Sequence, residues 1–193
     1  MFKVRQNEIF SVYSFFNHIK IKLMKKLLLI LTITLSVAFS QNTIAQGTIV
    51  DVAVGNEDFS TLVTALKAAG LVGALQAEGP FTVFAPTNAA FAKIDSKTLN
   101  SLLEEKNQKA LANILTYHVV SGKLTATDVV AALKKGNGIV ELKALNGQVL
   151  TVMQKDDKIW LKDANDNYSE ITATDVMGSN GVIHVINTVV MPK

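Results

Sequence analysis

The sequence predicts an α+β domain, and three observations lead there. From about residue 60 to residue 135, apolar residues recur at helical spacing, punctuated by capping residues and glycines. From about residue 139 the period changes to two, with turn residues between the segments. Helices gathered early and strands late do not match the strict alternation of a βαβ nucleotide fold.

The elements run in order along the chain. Ser60 is placed to cap a helix carrying Leu62, Val63, Leu66 and Ala69 on one face, with Gly70 ending it. Gly79-Pro80 turns the chain into one early strand, in which Phe81, Val83 and Ala85 alternate with Thr82 and Phe84. Both sets are largely apolar, so both faces of that strand should be covered. Pro86 cannot donate to a ladder and closes the strand. Thr87 then caps a short helix whose Phe91 turns back to the core. A helix from near Ser96 carries Leu99, Leu102 and Leu103. Another carries Ala110, Leu111, Ile114 and Leu115 up to Tyr117. A further one begins at Thr127, turns Val129, Val130 and Leu133 inward, and ends at Lys134-Lys135-Gly136. Segments 139–145 and 148–154 flank Asn146-Gly147, a strong hairpin signal. Segments 158–162 and 168–172 flank a polar turn at 163–167, and 182–190 reads as a long closing strand ended by Pro192.

Three ordered, well-separated segments carry a family resemblance. They are the run 81–91 (FTVFAPTNAAF), Tyr117-His118-Val119-Val120, and the run 180–192 (NGVIHVINTVVMP). Together they resemble the signature of fasciclin-type (FAS1) domains. The resemblance implies a small β-sandwich wedge with helices packed along one side. It also implies adhesion through cell-surface receptors, tied to residues around the Tyr117-His118 pair. An aspartate followed by an aliphatic residue, here Asp175-Val176, has in the family been proposed as part of an integrin contact, where isoleucine is more usual than valine. Fasciclin domains commonly carry aspartate where this chain has Asn187, so an ion pair expected there loses its charge.

Charge divides the chain. Residues 1–45 hold six of the nineteen basic residues, including the single arginine, Arg5, against one acid, Glu8. The remainder has 13 lysines against 15 acids, a net charge of −2. Without arginine it lacks the usual instrument for phosphate and guanine contacts, so nucleic acid is not an expected partner. Met24-Lys25-Lys26 followed by the apolar run 27–39 reads as a secretory signal, with Met24 the better start and residues 1–23 dispensable. Thirteen residues at about 1.5 Å each span about 20 Å, short of the roughly 30 Å of a bilayer core. The membrane is therefore met only in transit through the signal. Cleavage fits after Ser40 or after Ala45, leaving 46–193 as one domain without linkers, repeats or low-complexity tracts. No cysteine occurs, so the domain must hold by packing, and a lipoprotein anchor is not expected. The expected destination is the periplasm or the medium, by secretion.

Each candidate site has a plain structural reading beside the functional one. Tyr117 and His118 are candidate binding residues, or else a buried aromatic and a pin at a helix-to-strand junction. Asp175 and Val176 are candidate binding residues, or else a turn or capping aspartate and its neighbour. Phe81, Phe84, Pro86, Thr87, Phe91, Gly181, His184, Asn187 and Pro192 are read as structural signature. No hydrolytic set is expected from His118, His184 and Asp175. The nearest serine, Ser179 beside Gly178 and Gly181, sits on no nucleophile elbow. Asp163, Asn165 and Asn167 match the first ligands of an EF-hand loop, but Tyr168 stands where glycine is needed and Thr174 where glutamate is needed. No metal site and no cofactor are expected. The reading is a non-catalytic binding module that contacts a cell-surface, matrix or envelope protein or carbohydrate. The alternative is a carrier holding a small apolar molecule beside Trp160, Phe84 or Tyr168.

Overall fold

The computed structural model describes residues 47–193. The signal region, its cleavage points and the Met24 start lie outside the described residues. The elements in chain order are helix α1 (Ile49–Val54), a 3-10 turn (Glu57–Phe59), α2 (Ser60–Ala68), α3 (Val72–Gln76), strand β1 (Phe81–Pro86) and α4 (Asn88–Phe91). Then come α5 (Ser96–Leu103), a second 3-10 turn (Glu105–Asn107), α6 (Gln108–Tyr117), β2 (Val119–Ser121) and α7 (Ala126–Lys135). The chain closes with β3 (Ile139–Lys143), β4 (Val149–Lys155), β5 (Lys158–Lys162), β6 (Tyr168–Gly178) and β7 (Gly181–Ile186).

The seven strands form one sheet in the order β2-β1-β7-β6-β5-β4-β3. The β1–β7 pair is parallel and every other pair antiparallel. Two register shifts in β6, between Ile171 and Ala173 and between Ala173 and Val176, let one strand serve two halves of the sheet. The far ends almost meet, through a bridge between Val120 and Ala144 and the bond from Leu145 N to Val119 O at 2.8 Å.

Two apolar clusters result. Between the halves lie Phe84 and Ile186 from one side, Leu150, Val152 and Leu161 from the other, with Tyr117, Leu133 and Val190. On the opposite face of the first half, Val83, Ala85 and Ile183 pack against Phe59, Leu62, Leu66, Phe91, Leu111 and Leu115 from the helices. The first half is therefore covered on both faces, which is why β1 and β7 are apolar at nearly every position. The second half is covered on one face only, and β3 to β5 alternate accordingly. This is the α+β class with helices along one side.

Local readings need corrections, among them the sixth strand, which runs to Gly178 rather than ending at residue 172. Ser60 does not cap α2, whose first amides instead meet a distant side chain: Thr61 N donates to Asn88 Oδ1 at 2.9 Å. The cap of α7 is Thr125, two residues before Thr127, in a capping box with Asp128. Asn146-Gly147 is no two-residue turn. Gly147 N donates to Ala144 O and Ala144 N to Gln148 O, so three residues make the loop, and Gly147 takes the left-handed position at φ 88°. The last strand stops at Ile186, not at residue 190. Two-residue turns lie elsewhere, at Asp156-Asp157 between β4 and β5, with φ of 52° and 59°, and at Ser179-Asn180 between β6 and β7.

Candidate functional site

Tyr117 and His118 stand where α6 hands over to β2, and neither is at the surface. The Tyr117 hydroxyl donates to Val149 O at 2.8 Å, tying α6 to β4. Burial, and after it the charge of Asp163, raise its pKa, so it remains a donor. His118 is 2% exposed. Its Nδ1 lies 2.8 Å from Ile114 O and must carry the proton, because a carbonyl only accepts. Its Nε2 then accepts from Val190 N at 3.2 Å. Burial pushes its pKa down to about 4, against smaller opposing effects from the Ile114 carbonyl and Asp163. The ring is therefore neutral at ordinary pH, with both nitrogens occupied by backbone.

His184 makes the complementary joint with the opposite tautomer. It is 1% exposed, and its Nε2–H donates to Leu124 O at 2.7 Å. Its Nδ1 accepts from Asp175 N at 3.4 Å, and its ring lies 5.7 Å from that of Phe84. Asp175 sits in the irregular stretch of β6 at φ 60° and accepts from Ala126 N at 2.9 Å, capping α7 from another element. Thr82 completes the joint, donating to Gly122 O at 2.7 Å and accepting from Leu124 N at 2.9 Å. The loop between β2 and α7 is thus fixed to β1, β6 and β7 by side chains. Val176 is half-buried against the helix-side core.

The other signature residues occupy both cores and the strand ends. Phe84 is wholly enclosed between the sheet halves, and Phe91 packs on the helix side. Pro86 is the last residue of β1, and Thr87 Oγ1 accepts from Ala90 N at 3.3 Å at the start of α4. Phe81 lies opposite Gly181, where a side chain would run into the Phe81 backbone. Asn187 Oδ1 accepts from Glu170 N at 3.0 Å, while Lys93 Nζ meets the Asn187 carbonyl, not its side chain, at 2.6 Å. The Pro192 carbonyl accepts from Asn165 Nδ2 at 3.3 Å.

Asp163 has a structural position that its turn-like sequence does not convey. It is buried, and its carboxylate accepts from Asn165 N, Asn167 N and Met191 N at 2.8–3.0 Å. Ser169 is as well buried and both donates to Thr188 O and accepts from Thr188 N. Among the described residues no group of three His, Asp or Glu side chains could hold a metal ion. His118, His184 and Asp175 do not converge on a serine: their partners are backbone groups. Phe84, Trp160 and Tyr168 are not brought together either. Phe84 is inside, whereas Trp160 and Tyr168 point away from Leu161 on the open face of the second sheet half. A groove of about 460 Å³ is lined by both apolar and polar residues, among them Thr48, Gln76, Ala77, Pro80, Lys123 and Asn180.

The second sheet half presents that open face to solvent. Cross-strand register aligns Ile139, Met153, Trp160 and Glu170 in one row, and Glu141, Thr151, Lys162 and Tyr168 in the next. Ile139 is 51% exposed, Val149 47% and Tyr168 50%. The fasciclin-domain family profile matches residues 57–192. The chain belongs to the fasciclin-domain family. This fasciclin-domain chain is 52% identical over 145 residues to the Synechocystis protein sll1483, covering 75% of this chain and 73% of that one. It is 41% identical over 146 residues to the pig transforming growth factor-beta-induced protein ig-h3, covering 76% of this chain and 19% of that one. The immunogenic protein MPB70 of Mycobacterium bovis is 32% identical over 142 residues, 71% of this chain and 65% of its own. In three dimensions the chain matches a FAS1 domain pair from the insect cell adhesion molecule fasciclin I. The TM-score is 0.54 at 19% identity, over 72% of this chain and 45% of that one, a likeness of fold. Among the described residues no helix is long and apolar enough to cross a membrane.

Proposed function

We propose that this fasciclin domain is an exported, non-catalytic binding module that attaches to a cell-surface, matrix or envelope protein or carbohydrate through the open face of β3 to β6. The observation that carries the reading is the grouping of exposed Ile139, Val149 and Tyr168 on that one face, between Lys143, Lys158, Lys162, Glu141 and Glu170. Large apolar and aromatic side chains interleaved with charges suit a contact surface better than a reaction site. The signature residues serve the fold in this reading. Tyr117 and His118 act through β2 and the C-terminal segment, and Asp175 and Val176 through the α7 junction. Fold likeness to an insect cell adhesion molecule supports the same class of role. Family membership supports an extracellular or periplasmic location.

The test is binding of the purified protein to envelope and matrix fractions of its source organism. The combined variant Ile139→Ser, Val149→Thr, Tyr168→Ser is expected to weaken capture by about tenfold or more, with the thermal midpoint of unfolding essentially retained. Undiminished capture would move the contact to another surface.

A further inference from the structure

We infer that segment 187–193 is an acid-released strap, freed when a proton reaches His118 while the seven strands stay paired. The inference concerns the fold and does not rest on the proposed binding role. Beyond Ile186 the backbone leaves the ladder, keeping one backbone bond, from Asn187 N to Glu170 O at 3.1 Å. Side chains from five other places hold residues 188–193, one of them Lys93, whose Nζ donates to Thr188 Oγ1 at 3.1 Å. Ser169 Oγ engages Thr188 N and O at 3.1 and 2.8 Å. His118 Nε2 accepts from Val190 N at 3.2 Å, and Asp163 Oδ2 accepts from Met191 N at 3.0 Å. Asn165 Nδ2 donates to Met191 O at 3.1 Å, and Gln148 Oε1 accepts from Lys193 N at 2.9 Å.

The middle of the strap therefore hangs on two adjacent acceptors, the His118 ring at Val190 and the Asp163 carboxylate at Met191, and the ring accepts only while Nε2 is unprotonated. A proton on His118 Nε2 turns an acceptor into a donor aimed at the Val190 N–H, and a buried pair of opposed donors is unfavourable. The titratable groups facing the two acceptors are few. His118 faces Asp163 and Tyr117, and Asp163 faces those two and the amides of Asn165 and Asn167. Lys162 and Asp166 pair with each other at 2.7 Å, and the charge of Lys193 also acts on Asp166. Among the described residues no lysine forms an ion pair with Asp163. Burial lowers the His118 pKa to about 4, which sets the range of release. Release withdraws Val190 from the cluster between the sheet halves and Val189 from the helix side, uncovering apolar surface in acid.

The experiment is amide hydrogen exchange on the full protein as its host processes it, at pH 7, 5 and 4, corrected for intrinsic rates. Amides of 188–193 are expected to lose about tenfold or more of their protection by pH 4, while those of 182–186 keep theirs. Joint loss in both segments, or no change in either, would overturn the inference. His118→Gln retains a donor and an acceptor without titrating, and is expected to hold the strap closed to lower pH. If that variant does not fold, the wild-type contrast between 188–193 and 182–186 decides alone. Release of the non-titrating variant along the wild-type pH curve would count against the inference.

Discussion

At the scale of single residues, the buried polar groups do specific joining work, and each joint makes its own prediction. Removing the Tyr117 hydroxyl in Tyr117→Phe deletes one bond to Val149 O and should cost about 1 kcal/mol in urea unfolding. Removing the whole ring in Tyr117→Ala should cost about 3–5 kcal/mol. Trp160 makes the opposite case. Its indole N–H is buried without a partner, so Trp160→Phe should leave stability unchanged or raise it. His118 links stability to pH. Its pKa falls from 6.5 in the unfolded chain to about 4 in the fold, so the unfolded chain takes the proton first. Its stabilising contribution is complete above pH 6.5 and declines as pH falls, until it is gone near pH 4. The full decline amounts to roughly 3 kcal/mol. Urea midpoints measured between pH 7 and 4 should show it, and His118→Gln should flatten that slope. The sequence made His118 legible as a junction residue and His184 as a structural residue of the last strand, because each lies in an apolar run. It hid Asp163 and Ser169, which sit in or beside a polar stretch that looks like solvent-facing turn. Their partners, Met191 and Thr188, are 28 and 19 residues away, and no local spacing announces them.

At the scale of elements, period and punctuation located most helices and strands, and the misreadings concern their ends. Thr125 and Thr127 both precede the apolar face of α7, but only Thr125 forms the capping box with Asp128. Thr125→Ala should lower stability by about 1 kcal/mol in the same urea assay, whereas Thr127→Ala should do little. The start of α2 could not be read locally, because its cap, Asn88, arrives from 27 residues downstream. Hairpin signals misled in a related way. Asn146-Gly147 has the favoured composition, yet Asn146 also reaches Asn113 on α6, and the loop takes three residues. Asp156-Asp157 has the left-handed pair of angles that glycine and asparagine adopt more readily. The double change Asp156→Asn, Asp157→Gly should therefore raise the thermal midpoint, and a drop would argue against that turn.

At the scale of the whole domain, the arrangement is helices, then the first sheet half, then the second half with its outer face open. This layering was partly visible in sequence. Strands β1 and β7 are apolar on both faces because they lie between two layers, while β4 and β5 alternate because they bound only one. The parallel pairing of β1 with β7 was not visible, since the partners are about a hundred residues apart and either direction suits such apolar strands. Nor was the proposed contact face, whose exposed Ile139, Val149 and Tyr168 gather only once the register is set. The central claim is that the family signature builds the scaffold and the open sheet face makes the contact. Site-directed photo-crosslinking tests it most directly, with a photoreactive residue placed at exposed Tyr168 and, separately, at exposed Ser121 beside the Tyr117-His118 junction. In the presence of envelope and matrix fractions, adducts are predicted from position 168 and not from 121. Adducts from 121 with none from 168 would contradict the account.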